Sequence, residues 1–224
     1  MASTTSTTDT PNTPPSPPPP PSNDPPILTL PRVTIRPYHP TDAPHSAHQA
    51  NDPSIAANMR NTFPSPYSPR DAEHFIGAIA LAATSTNPLQ PEGVRLHYAI
   101  CRSGDGAFAG GIGLKPLRDV EARTLEVGYW VGREHRGKGY ATEAVRGFSD
   151  WAFATFPGVL RLEASVFEGN GASEAVLLKA GYQREGVRRK AVWKNDRALD
   201  LVYFGLLREE WSGLGSRGVE GHEA

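Results

Sequence analysis

The stretch Arg136-Gly-Lys-Gly-Tyr-Ala141 sets two glycines and two cations at a turn directly ahead of an amphipathic helical pattern. Residues of these types in this order can hold a phosphate. Backbone N–H groups in the first turn of a helix lack an intrahelical partner, glycine lets the chain bend so that several of them point at one anion, and the helix dipole favours negative charge there. Arg136 and Lys138 add positive charge. Two nucleotide-binding patterns fail, each on one residue. Gly132, four further residues and Gly137-Lys138 fit most of a P-loop, but Gly139 stands where a Ser or Thr would bring a hydroxyl to magnesium. A dinucleotide fingerprint fails because Thr142 occupies the place of the third glycine.

Such a turn needs a strand to deliver it and a helix to receive it. Thr124 to Val131 reads as the strand, and alternation puts Glu126, Gly128 and Trp130 on one face. From Gly139 onward, Ala141, Ala144, Val145, Phe148, Trp151 and Ala152 share one helix face, and Pro157-Gly158 ends that helix. Upstream, strand-like residues run from Ile27 through Arg36. Two short helices follow between Ala43 and Arg60, broken at Asp52-Pro53, and a third spans Pro69 to Ala83. Thr84 to Gly93 reads as a polar connection. Arg95–Cys101 and Ala107–Leu114 form a hairpin about Ser103–Gly106. Downstream come a strand from Leu160 to Phe167, a helix from Gly171 to Ala180, and a final hairpin around Asn195-Asp196. Hairpins followed by a strand, helix, strand unit predict a mixed sheet with helices packed on it.

The totals bound the partners. With 23 Lys and Arg against 24 Asp and Glu, the net charge of -1 points to neither nucleic acid nor an acidic membrane. No apolar run approaches the roughly 18 residues expected of a membrane span. The single cysteine, Cys101, excludes an internal disulfide framework, and its apolar strand context reads as a buried structural thiol. The histidines show no metal-ligand spacing, so no metal is expected, and His135, which borders the turn and could touch a phosphate, reads rather as an exposed loop residue. The first basic residue is Arg32 and Ala2 is not the glycine of a myristoylation signal, so the expected location is cytoplasmic, with nuclear residence also open. Residues 1–25 read as a disordered arm rich in Pro, Ser and Thr, solvated or a ligand for a proline-binding module. The folded domain is expected over 26–211, with a glycine-rich, frayed tail over 212–224.

Four motifs in order carry a resemblance. Glu126-Val-Gly-Tyr-Trp, Arg136-Gly-Lys-Gly-Tyr-Ala-Thr-Glu-Ala, Asn170-x-x-Ser173, and Leu178-Lys-Ala-Gly-Tyr182 with Glu185-Gly186 resemble the GNAT superfamily of N-acetyltransferases, RimJ/RimL-type branch, over roughly Ile27 to Trp211. The resemblance implies the GNAT fold, an α/β (α+β) domain with a mixed, mostly antiparallel sheet of six to seven strands, flanked by helices and splayed at its central strands. It also implies acetyl-CoA as acyl donor and a primary amine as acceptor; a monomer and a homodimer are both open. Protein N-termini, small amines, aminoglycosides and polyamines all remain open as acceptors. A catalytically silent acyl-CoA-binding module on the same fold is the alternative reading.

By the same resemblance, Arg136, Gly137, Lys138, Gly139, Tyr140 and Ala141 wrap the donor's pyrophosphate, and a backbone N–H near Trp130 or Val131 meets the oxyanion. Glu134 stands where many members carry Gln or Arg, and it is expected to point to solvent. Glu126 is the candidate base that takes the amine's proton; as a strand residue it could equally be exposed or paired with Arg123 or Arg161. Asn170 is expected to bond the pantetheine arm and to cap the helix that follows it. Ser173 is the candidate proton donor to the departing thiolate, or simply a first-turn helix residue. Many relatives place a tyrosine acid seven residues after that asparagine, where this chain has Leu177. Tyr182 reads as a core aromatic, and the basic run Arg184 to Lys194 as either an acceptor contact or a solvated strand face.

Overall fold

The computed structural model describes residues 24–82 and 89–215, with side chains described through Trp211. The expected arm, apart from its last two residues, the first half of the connection after the third helix, and the tail from 216 onward lie outside the described residues. One eight-stranded sheet organises the chain, in the order β1-β2-β3-β4-β5-β6-β8-β7. The strands are β1 (Leu28–Thr29), β2 (Val33–Pro37), β3 (His97–Arg102), β4 (Phe108–Pro116), β5 (Thr124–Val131), β6 (Arg161–Phe167), β7 (Gln183–Lys194) and β8 (Arg197–Leu207). The strand beyond the expected six to seven is the two-residue β1. Pro31 turns the chain, Leu30 N–H closes on the Val33 carbonyl at 2.9 Å, and Leu28 pairs with Ile35.

Helices cover both faces. On one side α4 (Tyr140–Thr155) and α5 (Gly171–Lys179) bury Val145, Phe148, Phe153 and Leu177 against Ile35, Leu114, Val127, Leu162 and Phe204. On the other, α1 (Ala43–Ala50) and α3 (Pro69–His74) pack Ala47, Ala50 and Ala72, with Ile76 just beyond α3, over Cys101, Phe108 and Tyr38. The one-turn α2 (Pro53–Ala56) lies between them in sequence, capped by Asp52. Past α3 the helix widens into a π-helical stretch, Phe75–Ala80, which Leu81 N–H closes on the Ile76 carbonyl; the third helix thus ends before its expected limit at Ala83. The last helix, α6 (Arg208–Gly215), carries regular structure beyond the expected domain end at 211.

Two local features set the sheet's shape. Asn195 and Asp196 both adopt positive φ, 50° and 58°, the left-handed pair that a two-residue hairpin turn requires. The other feature is the one parallel pairing among the described residues. β5 meets β6 only at Thr124, Leu125 and Glu126, opposite Arg161, Leu162 and Glu163. Beyond that point β5 continues to Val131 beside β4, while β6 continues to Phe167 beside β8. The two central strands therefore part, and the splay opens a wedge between them.

Candidate active site

One open cleft of about 1370 Å³ runs from the glycine turn through the wedge to the loop between α2 and α3. At the turn, Gly137 and Gly139 hold φ of 73° and 80°, a backbone region that L side chains adopt at a cost. The N–H groups of Gly137, Lys138 and Gly139 have no backbone acceptor among the described residues, and those of Tyr140 and Ala141 belong to the first turn of α4. The turn thus presents a run of unspent donors at the positive end of a sixteen-residue helix. No side chain fills the space beside Gly137.

The charged residues of the turn divide their work. The Lys138 ammonium is exposed and makes no hydrogen bond or ion pair among the described residues. The Arg136 guanidinium is committed elsewhere, donating to Ser54 Oγ at 2.9 Å, Asp52 Oδ2 at 3.1 Å and the Val131 carbonyl at 3.3 Å. It straps α2 to the turn, so the positive help expected from its side chain is spent within the chain. The backbone hydrogen bond from Ser54 N–H leads the causes that hold the Asp52 carboxyl below its usual range. Arg32, which sequence reasoning passed over, reaches the same place: its guanidinium lies where a Cβ on Gly139 would sit. Its backbone is anchored by Glu143 in the first turn of α4, which accepts from the N–H groups of Arg32 and Val33 at 2.9 and 3.1 Å.

His135 differs from expectation. Instead of an exposed loop residue it is buried, 6% exposed, with Nδ1 lacking a partner and a ring 6.2 Å from that of Tyr140. Burial, then the neighbouring positive charges of Arg102 and Lys138, push its pKa down and keep it neutral. The short helical turn Arg133–His135 swings the ring inward, a reversal that the local sequence does not signal. Glu134 points outward as expected, accepting from Gln49 at 3.2 Å.

In the wedge, strand alternation fixes which backbone groups are free. Gly132 N–H bonds the Ala109 carbonyl on the β4 side at 2.9 Å, and a Cβ on Gly110 would strike the Trp130 carbonyl. Trp130 and Gly132 therefore turn their backbone toward β4, and Val131 between them turns its N–H into the wedge. The Trp130 side chain lies on the opposite cleft wall, 5.9 Å from Phe108 and 6.3 Å from Phe63 by ring centroids.

At the far side of the wedge, Asn170 Oδ1 accepts from Ser173 N–H at 3.2 Å, the cap expected of it. Ser173 Oγ lies 2.8 Å from the hydroxyl of Tyr129, which also lies 3.2 Å from the Ser173 carbonyl. Burial pushes the Tyr129 phenol up to about 12, against a smaller opposing effect from Ser173, so it stays protonated and able to donate. Leu177 is fully buried. Tyr129 was not anticipated; alternation with Glu126 on the opposite face was the available signal.

Glu126 is ion-paired, though not with Arg123 or Arg161. Arg123 donates to the Gly158 carbonyl, and Arg161 is held by Glu163 and Glu185. The Glu126 partners are Lys115 Nζ at 3.2 Å, directly across from it on β4, Arg60 Nη2 at 3.3 Å, and Ser165 Oγ at 3.1 Å on β6. Burial alone would raise the carboxyl pKa; the charges of Lys115 and Arg60 outweigh it, and the net shift is downward. Of the basic run, Lys194 is buried and donates to Asn61 Oδ1 at 3.0 Å, Arg188 lies over Tyr203, and Arg184, Arg189 and Lys190 are exposed. Among the described residues no group of three or more His, Cys, Asp or Glu could hold a metal ion, and no helix is long and apolar enough to cross a membrane.

Comparison with known proteins agrees with this geometry. The family model of the Acetyltransferase (GNAT) domain matches residues 32–183. The chain is 30% identical to the uncharacterized N-acetyltransferase p20 of Bacillus licheniformis over 183 residues, 81% of this chain and 96% of that one. It is 38% identical over 109 residues to YdaF of Bacillus subtilis strain 168, whose name proposes a ribosomal N-acetyltransferase; that match spans 49% of this chain and 58% of YdaF. In fold it is similar to Mycobacterium smegmatis RimJ in complex with CoA-disulfide, with a TM-score of 0.66 at 21% identity over 83% of this chain and 89% of that one. The chain is an acyltransferase and belongs to the GNAT acetyltransferase family.

Proposed function

We propose that the chain transfers an acetyl group from acetyl-CoA to a primary amine by direct transfer in a ternary complex. The observation that carries this reading is the parting of β5 and β6 beyond Glu126, which joins the glycine turn, the Tyr129–Ser173 hydroxyls and Glu126 within one cleft. The residues fit the donor. The free N–H groups from Gly137 to Ala141, with Lys138 and Arg32 beside them, suit a pyrophosphate, and the unpaired edge of β5 and Asn170 suit an extended amide arm.

Bound, acetyl-CoA supplies a thioester carbonyl open to attack and a thiolate leaving group. Val131 N–H is the donor turned toward the charge that develops on the carbonyl oxygen. Ser173, hydrogen-bonded to a neutral Tyr129, supplies a proton on the leaving-group side. Glu126, ionised between two cations, accepts the amine's proton, directly or through a water molecule. An α-amino group, with an ordinary pKa of about 8, gives up that proton more readily than lysine at about 10.4. Direct transfer fits the state of Cys101, which is buried with its thiol pushed up to about 11 and so is no nucleophile.

The test is thiol release from acetyl-CoA across a panel of primary amines. Amine-dependent release supports the reading. Donor binding without release for any amine would instead support a catalytically silent acyl-CoA-binding module.

A further inference from the structure

The cluster around Glu126 holds more positive charge than that carboxylate neutralises. Arg60 and Lys115 both face it, at 3.3 and 3.2 Å, so two cations share one anion. The remaining titratable groups lining this end of the cleft do not restore the balance, and Glu163, opposite Glu126 on β6 but outside that lining, is committed to Arg161. Asp71 spends its carboxylate on Ser68, and burial pushes His97 toward its neutral form. The cations' heads are also the accessible part, since the side chains of Arg60 and Lys115 are 55% and 64% exposed while that of Glu126 is 17% exposed.

Both contacts are longer than the roughly 2.7–2.9 Å of a tight charge-assisted bond, and the two cations keep most of their donors unspent. Arg60 reaches Glu126 and Ser165 through Nη2 alone. Its position is fixed from behind, because the adjacent Asn61 is held by the buried Lys194 of the last hairpin. A lone ammonium approaching this pair meets net repulsion. An amine with a carboxylate a few bonds away does not, and the nearby positive charge favours the neutral, attacking form of that amine.

We propose that Arg60 and Lys115 are specificity-determining residues that select acceptors carrying a carboxylate close to the primary amine. The carboxylate docks on the spare donors of the two cations, and the amine is left beside Glu126. This rests on the acetyltransferase reading above. An acidic residue at the first or second position of a peptide N-terminus has this chemistry, and so does a free acidic amino acid.

The experiment compares kcat/KM for C-terminally amidated peptides of sequence Ser-Glu-Ala-Ala, Ser-Gln-Ala-Ala and Ser-Lys-Ala-Ala, and for free glutamate, in the wild type and in Arg60→Met, Lys115→Met and Lys115→Arg. The expected result is an acidic peptide favoured over its Gln counterpart by about tenfold, the scale of one hydrogen bond to a charged group, with the Lys peptide poorest. That ratio should fall to within about twofold in each Met variant, chiefly through KM, and survive in Lys115→Arg, which retains the charge. Turnover of glutamate with none of the peptides would place the same chemistry on the free amino acid. Equal rates for Glu and Gln peptides, or a ratio unchanged in both Met variants, overturns the proposal. So does failure of all four acceptors while acetyl-CoA still binds and other amines turn over. Loss of acetyl-CoA binding in the wild type would instead remove the donor reading beneath it.

Discussion

The Tyr129 hydroxyl stands 2.8 Å from Ser173 Oγ, across the wedge where β5 has left β6, and so ties the free strand to the first turn of α5. One hydroxyl can act as the proton donor while the other restores its hydrogen bond. Ser173→Ala should therefore lower kcat about tenfold or more with little change in acetyl-CoA affinity, and Tyr129→Phe should lower kcat by a smaller factor in the same direction. Single-turnover rates alongside binding constants check this. A variant that loses affinity and keeps its single-turnover rate would make the pair a binding element.

Glu126→Gln should reduce the rate by about 10²-fold near neutral pH. The sign of its pH dependence follows from the cations. Because Lys115 and Arg60 hold its pKa below the ordinary carboxylate range, the ionised form is present throughout neutral pH and is lost only as pH falls through that lowered value. The rise in wild-type rate with pH then reports the acceptor amine, at about 8 for an α-amino group. In Glu126→Gln the deficit should be largest below that value and shrink above it, as free amine becomes abundant. A pH–rate profile of the variant that overlays the wild type would remove Glu126 as base.

Gly137→Ala and Gly139→Ala separate two demands on the turn. Both positions have φ near +75°, so each alanine should destabilise the fold by roughly 1–2 kcal/mol. Space is open beside Gly137, whereas a Cβ on Gly139 would displace the Arg32 guanidinium. Gly139→Ala should accordingly show the greater loss of acetyl-CoA affinity. Thermal unfolding paired with donor titration reads both quantities, and equal affinity losses would leave Arg32 without a part in donor binding.

Tyr182→Phe tests the core independently of catalysis. Ser149 Oγ donates to the Val145 carbonyl at 2.8 Å, so the buried Tyr182 hydroxyl, 2.9 Å away, donates to Ser149. Its removal should cost about 1 kcal/mol, seen as a lower urea midpoint at unchanged slope. No change in midpoint would mean that the bond contributes nothing net to stability.

What the sequence disclosed and what it withheld divide by range. The turn at Asn195-Asp196, the helix face through Phe148 and the glycines at 137 and 139 are local matters of periodicity and backbone freedom, and each is readable from neighbouring residues. The pairing of Glu126 with Lys115 depends on β4–β5 register, which side-chain patterns on one strand do not fix. Its contacts with Arg60 and Ser165 join residues 66 and 39 positions away, beyond any local pattern. The burial of His135 and the partners of the Arg136 side chain were not legible for a related reason. A turn shows which residues it contains, while the side of the backbone each side chain takes is decided by what packs there, here Asp52 and Ser54 for Arg136.

The most direct measurement is calorimetric titration of acetyl-CoA into the wild type and Gly139→Ala. The account predicts saturable binding in the wild type at micromolar concentrations and binding weakened about tenfold or more in the variant. Absence of binding to the wild type at high micromolar acetyl-CoA would contradict it.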